Sequence, residues 1–172
     1  LKDGPDMTEM DAAWDDAASE IVRAGQRMDQ RGWVPATAGN ISRRLADGRI
    51  AITRSGGHKG FLTSADVIEV DIDGRPRVEG QRSSAETLLH TQLYAADPAI
   101  GAVLHGHSVA GTVLSMVVRD AAIPLSGYEV LKVFEGQVTH DTTVEVPLFE
   151  NDQDIARLAT VVAPQLGHMP AG

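Results

Sequence analysis

Apolar side chains recur every three to four residues from Met10 to Met28, near the start of the chain. This spacing places them on one face of a helix, so the segment is predicted to be an amphipathic helix. Gly32 and Pro35 follow, and both residue types commonly end helices. We therefore expect one long helix whose apolar face packs on the rest of the fold.

The next segments change to strict alternation of apolar and polar residues, the pattern of half-buried strands. It covers residues 40–45 and 49–53, and the intervening Asp47-Gly48 is a typical hairpin turn. Residues 67–72 alternate in the same way. The sequence thus predicts a β-hairpin and a further one-sided strand.

Helical and strand-like segments then follow one another to the end of the chain. Helical periodicity covers residues 85–96, 109–118 and 152–165, strand-like runs cover residues 102–107 and 144–148, and residues 123–135 read as turn-rich. Interleaved helices and strands together with a hairpin predict an α/β fold with helices packed on a mixed sheet. The length of 172 residues suits a single domain.

Composition narrows the classes of function. A net charge of −9 argues against a nucleic-acid surface, and no apolar run reaches the roughly 18 residues of a membrane span. The absence of cysteine excludes disulfides and thiolate metal sites and favours a reducing compartment such as the cytoplasm. The sequence therefore predicts neither nucleic-acid binding nor membrane insertion.

The sharpest local motif is His105-Gly106-His107. Residues two apart in a strand point to the same face, so both imidazoles could converge on one metal ion. Zinc, iron, nickel and copper all accept imidazole nitrogen. On spacing alone, two histidines with ordinary hydrogen bonds at a strand end are an equally good interpretation.

Small residues and glycines at turns suggest an anion site. Gly39-Asn40 and Ser55-Gly56 lie at the two ends of the predicted hairpin, where amides and hydroxyls can surround an anion. Ser84 lies at the start of a predicted helix, a place that also suits phosphate. Plain turn formation and helix capping remain alternatives for these residues.

Two carboxylates are candidates for proton transfer. Glu129 lies among apolar residues of the sequence, a setting that suits a general acid or base, and Glu86 lies on the first turn of a predicted helix. Either could instead be an ordinary solvated residue. His90, flanked by Leu89 and Leu93, is predicted to be packed and not to bind metal.

These motifs, in this order, resemble the class II aldolase/adducin family, and the similarity covers nearly the whole chain. The motifs are Gly39-Asn40-Ile41-Ser42, Thr53-Arg54-Ser55-Gly56, Ser84-Ala85-Glu86 and His105-Gly106-His107. The resemblance implies a three-layer αβα sandwich around a mixed, largely antiparallel sheet. It also implies a homotetramer.

The resemblance further implies roles for individual residues. It makes His105 and His107 ligands of one zinc ion per subunit. It assigns the phosphate of a small sugar substrate to Gly39, Asn40, Ser55, Gly56 and Ser84. It places Glu129 where a dehydrating branch of the family has its acid/base, and Glu86 where the aldolases have theirs.

Within the family the chain is most similar to the branch that removes water from 5-methylthioribulose 1-phosphate in methionine salvage. This similarity lies in residues 51–56, 84–90, 127–129 and 149–155. A sugar-phosphate aldolase and a non-enzymatic adducin-like interaction module are the alternatives. Residues 57–60 depart from the branch, which more often has an acidic residue before Lys59.

A third family histidine, from a later His-Gly motif, has no counterpart before the chain ends at Gly172. Residues 1–172 are therefore expected to be one class II aldolase-like domain that lacks its C-terminal strand and helix.

Overall fold

The computed structural model describes residues 7–170, and their side chains from residue 11 onward. The chain divides into two units between Val109 and Ala110. The first unit contains α1 (Met7–Gln30), β1 (Asn40–Arg44), β2 (Ile50–Thr53), β3 (Val67–Val70), α2 (Thr87–Ala96) and β4 (Ala102–His105). After these come α3 (Val109–Val117), β5 (Ala122–Ser126), β6 (Thr143–Pro147) and α4 (Ile155–Val162).

The first unit is built on a four-stranded antiparallel sheet in the order β3-β2-β1-β4. The predicted hairpin is confirmed as β1 and β2, and Gly48 in its turn has a φ of +89°. β4 joins the other edge of β1 with Asn40 opposite His105. This register brings the motif at residues 39–42 next to the histidine motif.

Helices cover both faces of this sheet. Because successive strand residues point to opposite faces, Ala51 packs with Ile21 of α1, while Ile50 and Ile52 pack with Tyr94 of α2. The first unit thus has the αβα layering that the family resemblance implies. All strand pairings in the described residues are antiparallel.

The second unit contains a two-stranded antiparallel sheet of β5 and β6. The turn-rich prediction for residues 123–135 is wrong where β5 forms. Pro124 weakens the strand signal because proline cannot donate to a ladder, yet it is tolerated on an edge strand. The last helix begins later than predicted, at Ile155, where Asp154 accepts a hydrogen bond from the Arg157 amide at 3.0 Å.

In the described part of the chain, no helix has both the length and the hydropathy needed to cross a bilayer.

Candidate active site

The residues predicted to hold a phosphate converge on one cavity of about 350 Å³ in the first unit. Its lining includes Gly39, Asn40, Ser55, Gly56, Ser84, Glu86, Lys59 and His107. This cavity is therefore lined by all five phosphate candidates. It is also lined by one of the two candidate carboxylates, Glu86, and by one of the two candidate metal ligands, His107.

The hairpin brings its two glycine turns to the same end. β1 starts at Asn40 and β2 ends at Thr53, so the segments outside them are neighbours. Gly39 and Gly56 have φ values of +75° and +78°, a left-handed conformation that favours glycine. Turns of this kind present backbone amides to a concave space that suits an anion.

Ser84 connects the start of α2 to β2. Its hydroxyl donates to the Thr53 carbonyl at 2.7 Å, and Ser84 itself is only 7% exposed. The N-cap residue of α2 is Glu86, without a capping side-chain hydrogen bond. Helix capping, the alternative role considered for Ser84, is therefore not what its hydroxyl does.

Glu86 is held beside the histidine motif. The Asn40 side-chain amide donates to Glu86 Oε2 at 2.6 Å, and the same oxygen lies 3.9 Å from His105 Nδ1. Asn40 and His105 face each other across β1 and β4, which explains why both reach the same carboxylate. The strand register thus fixes the position of Glu86.

The two motif histidines converge, but not for the predicted reason. β4 ends at His105, so His107 lies beyond the strand. The ring centroids of His105 and His107 are nevertheless 4.6 Å apart. The His107 amide donates to the Trp33 carbonyl, and a Cβ on Gly106 would lie only 2.9 Å from the Met28 methyl group. Close contact with the end of α1 therefore places His107.

His105 has the properties of a metal ligand. Burial lowers its pKa, Glu86 raises it, and His107 and Lys59 lower it further. Its Nδ1 is buried without a hydrogen-bond partner in the described structure. A lowered pKa keeps the imidazole neutral, which is the form that binds metal.

The pair of imidazoles fits two coordination positions of a divalent cation. Among the described residues, no cluster of three or more His, Asp or Glu side chains is arranged to hold a metal ion. His105 and His107 would therefore supply part of a coordination sphere whose other positions are open to further ligands.

A buried chain of hydrogen bonds that the sequence did not predict links His90, Ser42 and Tyr94. Ser42 lies two residues after Asn40 on β1, so both side chains are on the same face of that strand. His90 Nδ1 is 2.7 Å from Ser42 Oγ, which is 2.7 Å from the Tyr94 hydroxyl. His90 is only 2% exposed, which confirms the prediction that it is packed. Ser42 is about 50 positions from His90 and Tyr94 in the sequence, and only the fold brings them together. No local sequence pattern therefore predicts these contacts.

The free energy of unfolding is expected to fall as the pH drops from 6.5 towards 4, because of His90. Burial, with a smaller contribution from His105, lowers its pKa from 6.5 to about 4. Between these values the unfolded chain binds one more proton than the folded chain, so acid favours unfolding. The stabilisation is complete above pH 6.5, and about 3 kcal/mol of it is lost by pH 4.

Urea unfolding at pH 7 and pH 5, with a chelator present, measures this effect. His90→Gln should flatten the pH dependence, while His168→Gln, at an exposed histidine, should leave it as in the wild type. An equal pH dependence in the wild type and His90→Gln would contradict the assignment.

Glu129 lies in the second unit, in a short 3-10 helix (Glu129–Val133). Its sequence neighbours predicted apolar surroundings for Glu129. This prediction is wrong, because the Glu129 side chain is 71% exposed. It forms ion pairs with Lys132 Nζ and with His140 Nδ1, the latter at 3.3 Å if His140 is protonated. Of its three apolar neighbours in this helix, Leu131 is buried, whereas Val130 and Val133 are exposed.

Known proteins share both the sequence and the fold. Residues 19–171 match the model of the Class II Aldolase and Adducin N-terminal domain. The chain is 73% identical over 163 residues to methylthioribulose-1-phosphate dehydratase of Gluconobacter oxydans, covering 95% of this chain and 78% of that relative. It is 71% identical over 159 residues to the protein of that name from Gluconacetobacter diazotrophicus, covering 92% and 78%.

A solved structure extends the likeness to the fold. The crystal structure of L-fuculose-1-phosphate aldolase from Thermus thermophilus matches with a TM-score of 0.68 and 27% identity, covering 88% of this chain and 72% of that one. Proteins of this family typically use a divalent metal ion. With the family model matching almost its whole length, the chain belongs to the class II aldolase and adducin N-terminal domain family.

Proposed function

We propose that this chain is a hydro-lyase that converts 5-methylthioribulose 1-phosphate into 2,3-diketo-5-methylthiopentyl 1-phosphate and water, a step of methionine salvage. The observation that carries the proposal is the cavity, which combines phosphate-type turns with Glu86 and His107. The 73% identity to a protein named methylthioribulose-1-phosphate dehydratase favours dehydration over the other reactions of the family.

The substrate phosphate belongs in the glycine-lined part of the cavity. The amides of the Gly39 and Gly56 turns suit phosphate oxygens, as do the side chains of Asn40, Ser55 and Ser84. A volume of about 350 Å³ is at the small end of ligand pockets and suits a pentulose phosphate.

One zinc ion per subunit is proposed at His105 and His107. Zinc accepts imidazole nitrogen, and its tetrahedral site leaves positions for other ligands. When bound, it supplies a Lewis acid for the oxygens around C2 and C3 of the substrate. The neutral state of His105 and its unpartnered Nδ1 support this position.

The protein side chains must then move protons. A carboxylate takes the proton from C3, which gives an enediolate across C2 and C3. The C4–O bond breaks as a proton is delivered to the leaving hydroxyl, and water departs. The remaining enol gains a proton at C4 and loses one from the C3 hydroxyl, leaving the diketone. We assign this proton transfer to Glu129, with Glu86 as the alternative.

Product analysis tests the proposal. Dehydration keeps the five-carbon chain intact and yields a diketone, whereas an aldolase would cleave the C3–C4 bond and release dihydroxyacetone phosphate. The likeness to the fuculose-phosphate aldolase makes that cleavage the second candidate. Triose phosphate as the only product would overturn the dehydratase assignment, and no turnover of either kind would favour an adducin-like interaction module.

Ser84→Ala is expected to lower kcat/KM for the phosphorylated sugar about ten- to hundredfold. A hydrogen bond to a charged group contributes roughly 1.5–3 kcal/mol. In the structure the single hydroxyl hydrogen is donated to the Thr53 carbonyl, so it must turn to the phosphate when substrate binds. Steady-state kinetics measure the change, and the melting temperature is recorded as well because the substitution also removes the bond to Thr53. Ser83→Ala is the matched control, since Ser83 Oγ bonds to the Gly74 carbonyl, at 3.4 Å. An unchanged kcat/KM in Ser84→Ala would restrict Ser84 to a structural role.

A homotetramer in the cytoplasm completes the proposal. Val113, Met116 and Val117 of α3 are exposed, and subunit interfaces commonly cover apolar side chains of this kind. Light scattering on the purified protein measures the assembly, and cell fractionation measures the location.

A further inference from the structure

Lys59 is a deeply buried cation in the lining of the cavity. It is only 1% exposed. Its Nζ donates to the Gly57 carbonyl at 2.7 Å and to the Thr37 carbonyl at 3.0 Å. Burying an ammonium ion is unfavourable unless its charge is compensated, so its retention here calls for a reason.

The two carbonyls place the ammonium ion between the glycine turns. Thr37 lies two residues before Gly39, and Gly57 directly follows Gly56. Lys59 therefore links the two segments whose amides are proposed to hold the phosphate. Two of its three N–H donors are used in this link, which leaves one for a ligand in the cavity.

The charge of Lys59 is not neutralised by an ion pair in the described structure. Its partners are two uncharged carbonyls. Burial lowers its pKa, while the charge of Glu86 acts from a distance to raise it. The Glu86 carboxylate itself is hydrogen-bonded to Asn40. A net charge of −9 over the whole chain makes a local cation the means of attracting an anion.

We propose that Lys59 is a specificity-determining residue that binds phosphate directly and makes this cavity selective for a phosphorylated ligand. The inference rests on the proposed function, which puts the substrate phosphate in the same cavity. The turn amides and hydroxyls are uncharged donors. The Lys59 ammonium group can donate a charge-assisted hydrogen bond, which binds a dianionic phosphate more strongly.

Nitrogen-15 NMR of the full chain, labelled at lysine, observes this contact directly. The sequence has three lysines, Lys2, Lys59 and Lys132, so the Nζ spectrum is simple. Titration with inorganic phosphate should shift the Lys59 signal and leave the other two in place. The spectrum of Lys59→Met assigns the signal by its loss.

Affinity supplies the second measurement. Calorimetry with inorganic phosphate should show about ten- to hundredfold weaker binding by Lys59→Met, the worth of one hydrogen bond to a charged group. The matched control is Arg75→Gln, which also removes one positive charge but at a side chain that is 74% exposed. Its affinity for phosphate should equal that of the wild type.

The outcomes separate this inference from the proposed function. If phosphate binds the wild type while the Lys59 signal stays in place, Lys59 only links the two turns and the inference is wrong. Equal affinity in Lys59→Met has the same meaning, and both results leave the dehydratase proposal standing. If phosphate does not bind the wild type, the inference and the phosphate site both fail. Should Lys59→Met not fold, Lys2→Arg and Lys132→Arg assign the other two signals by their loss, and the wild-type titration still decides.

Discussion

His107→Ala is expected to remove bound metal and enzymatic activity together. The ring centroids of His105 and His107 are 4.6 Å apart, and these two imidazoles are the ones proposed to hold the metal ion. One remaining imidazole is too few ligands to hold zinc firmly. Metal content should drop from about one to below about 0.1 per subunit, since affinity depends on the full ligand set.

Elemental analysis after chelator-free purification measures the metal, and the dehydration assay measures kcat on the same sample. His168→Ala is the control, because His168 is exposed in the second unit and should keep both metal and activity. Wild-type metal content in His107→Ala would show that the motif does not bind the ion.

Glu129→Gln is expected to lower kcat by roughly 10²–10⁴ while the protein keeps its fold and its metal. This is the usual contribution of a positioned general acid or base. Glutamine has nearly the same shape but cannot exchange a proton. Because Glu129 is exposed and its ion pairs are with Lys132 and His140 at the surface, its replacement should change the free energy of unfolding little.

The companion variant Glu86→Gln distinguishes the two carboxylates. Glu86 accepts a hydrogen bond from Asn40 and lies beside His105, so its replacement should also alter metal content. Glu135→Gln is the control, since Glu135 is an exposed carboxylate close to Glu129 in sequence. If Glu129→Gln kept a kcat near that of the wild type, Glu86 would become the better candidate for the base, and the dehydratase assignment would weaken.

The sequence predicted correctly those helices and strands whose formation depends on the spacing of nearby apolar and polar residues. The amphipathic α1 follows from helical periodicity, and the hairpin of β1 and β2 follows from alternation around Asp47-Gly48. β5 was missed because Pro124 interrupts its pattern, although an edge strand accepts proline.

The sequence predicted which residues line the candidate site better than it predicted where their side chains lie. Motif order identified the residues that line the cavity, but the exposure of Glu129 depends on how its segment folds. The buried ammonium group of Lys59 donates to a carbonyl 22 positions away, and a lone lysine among glycines does not indicate such a contact in the sequence. Contacts of this range become visible only when the chain is folded.

The two glycines of the cavity differ in how freely protein engineering can use them. A Cβ at Gly39 would lie 2.5 Å from Val34 Cγ1 and 2.6 Å from the His105 carbonyl, so no side chain fits there. A Cβ at Gly56 would meet no protein atom within 4 Å, so the choice is restricted by its left-handed backbone and by the phosphate proposed to bind its turn. Asparagine tolerates that conformation best after glycine. A library aimed at new substrates should therefore vary position 56, where a side chain would project into open space, and leave position 39 fixed.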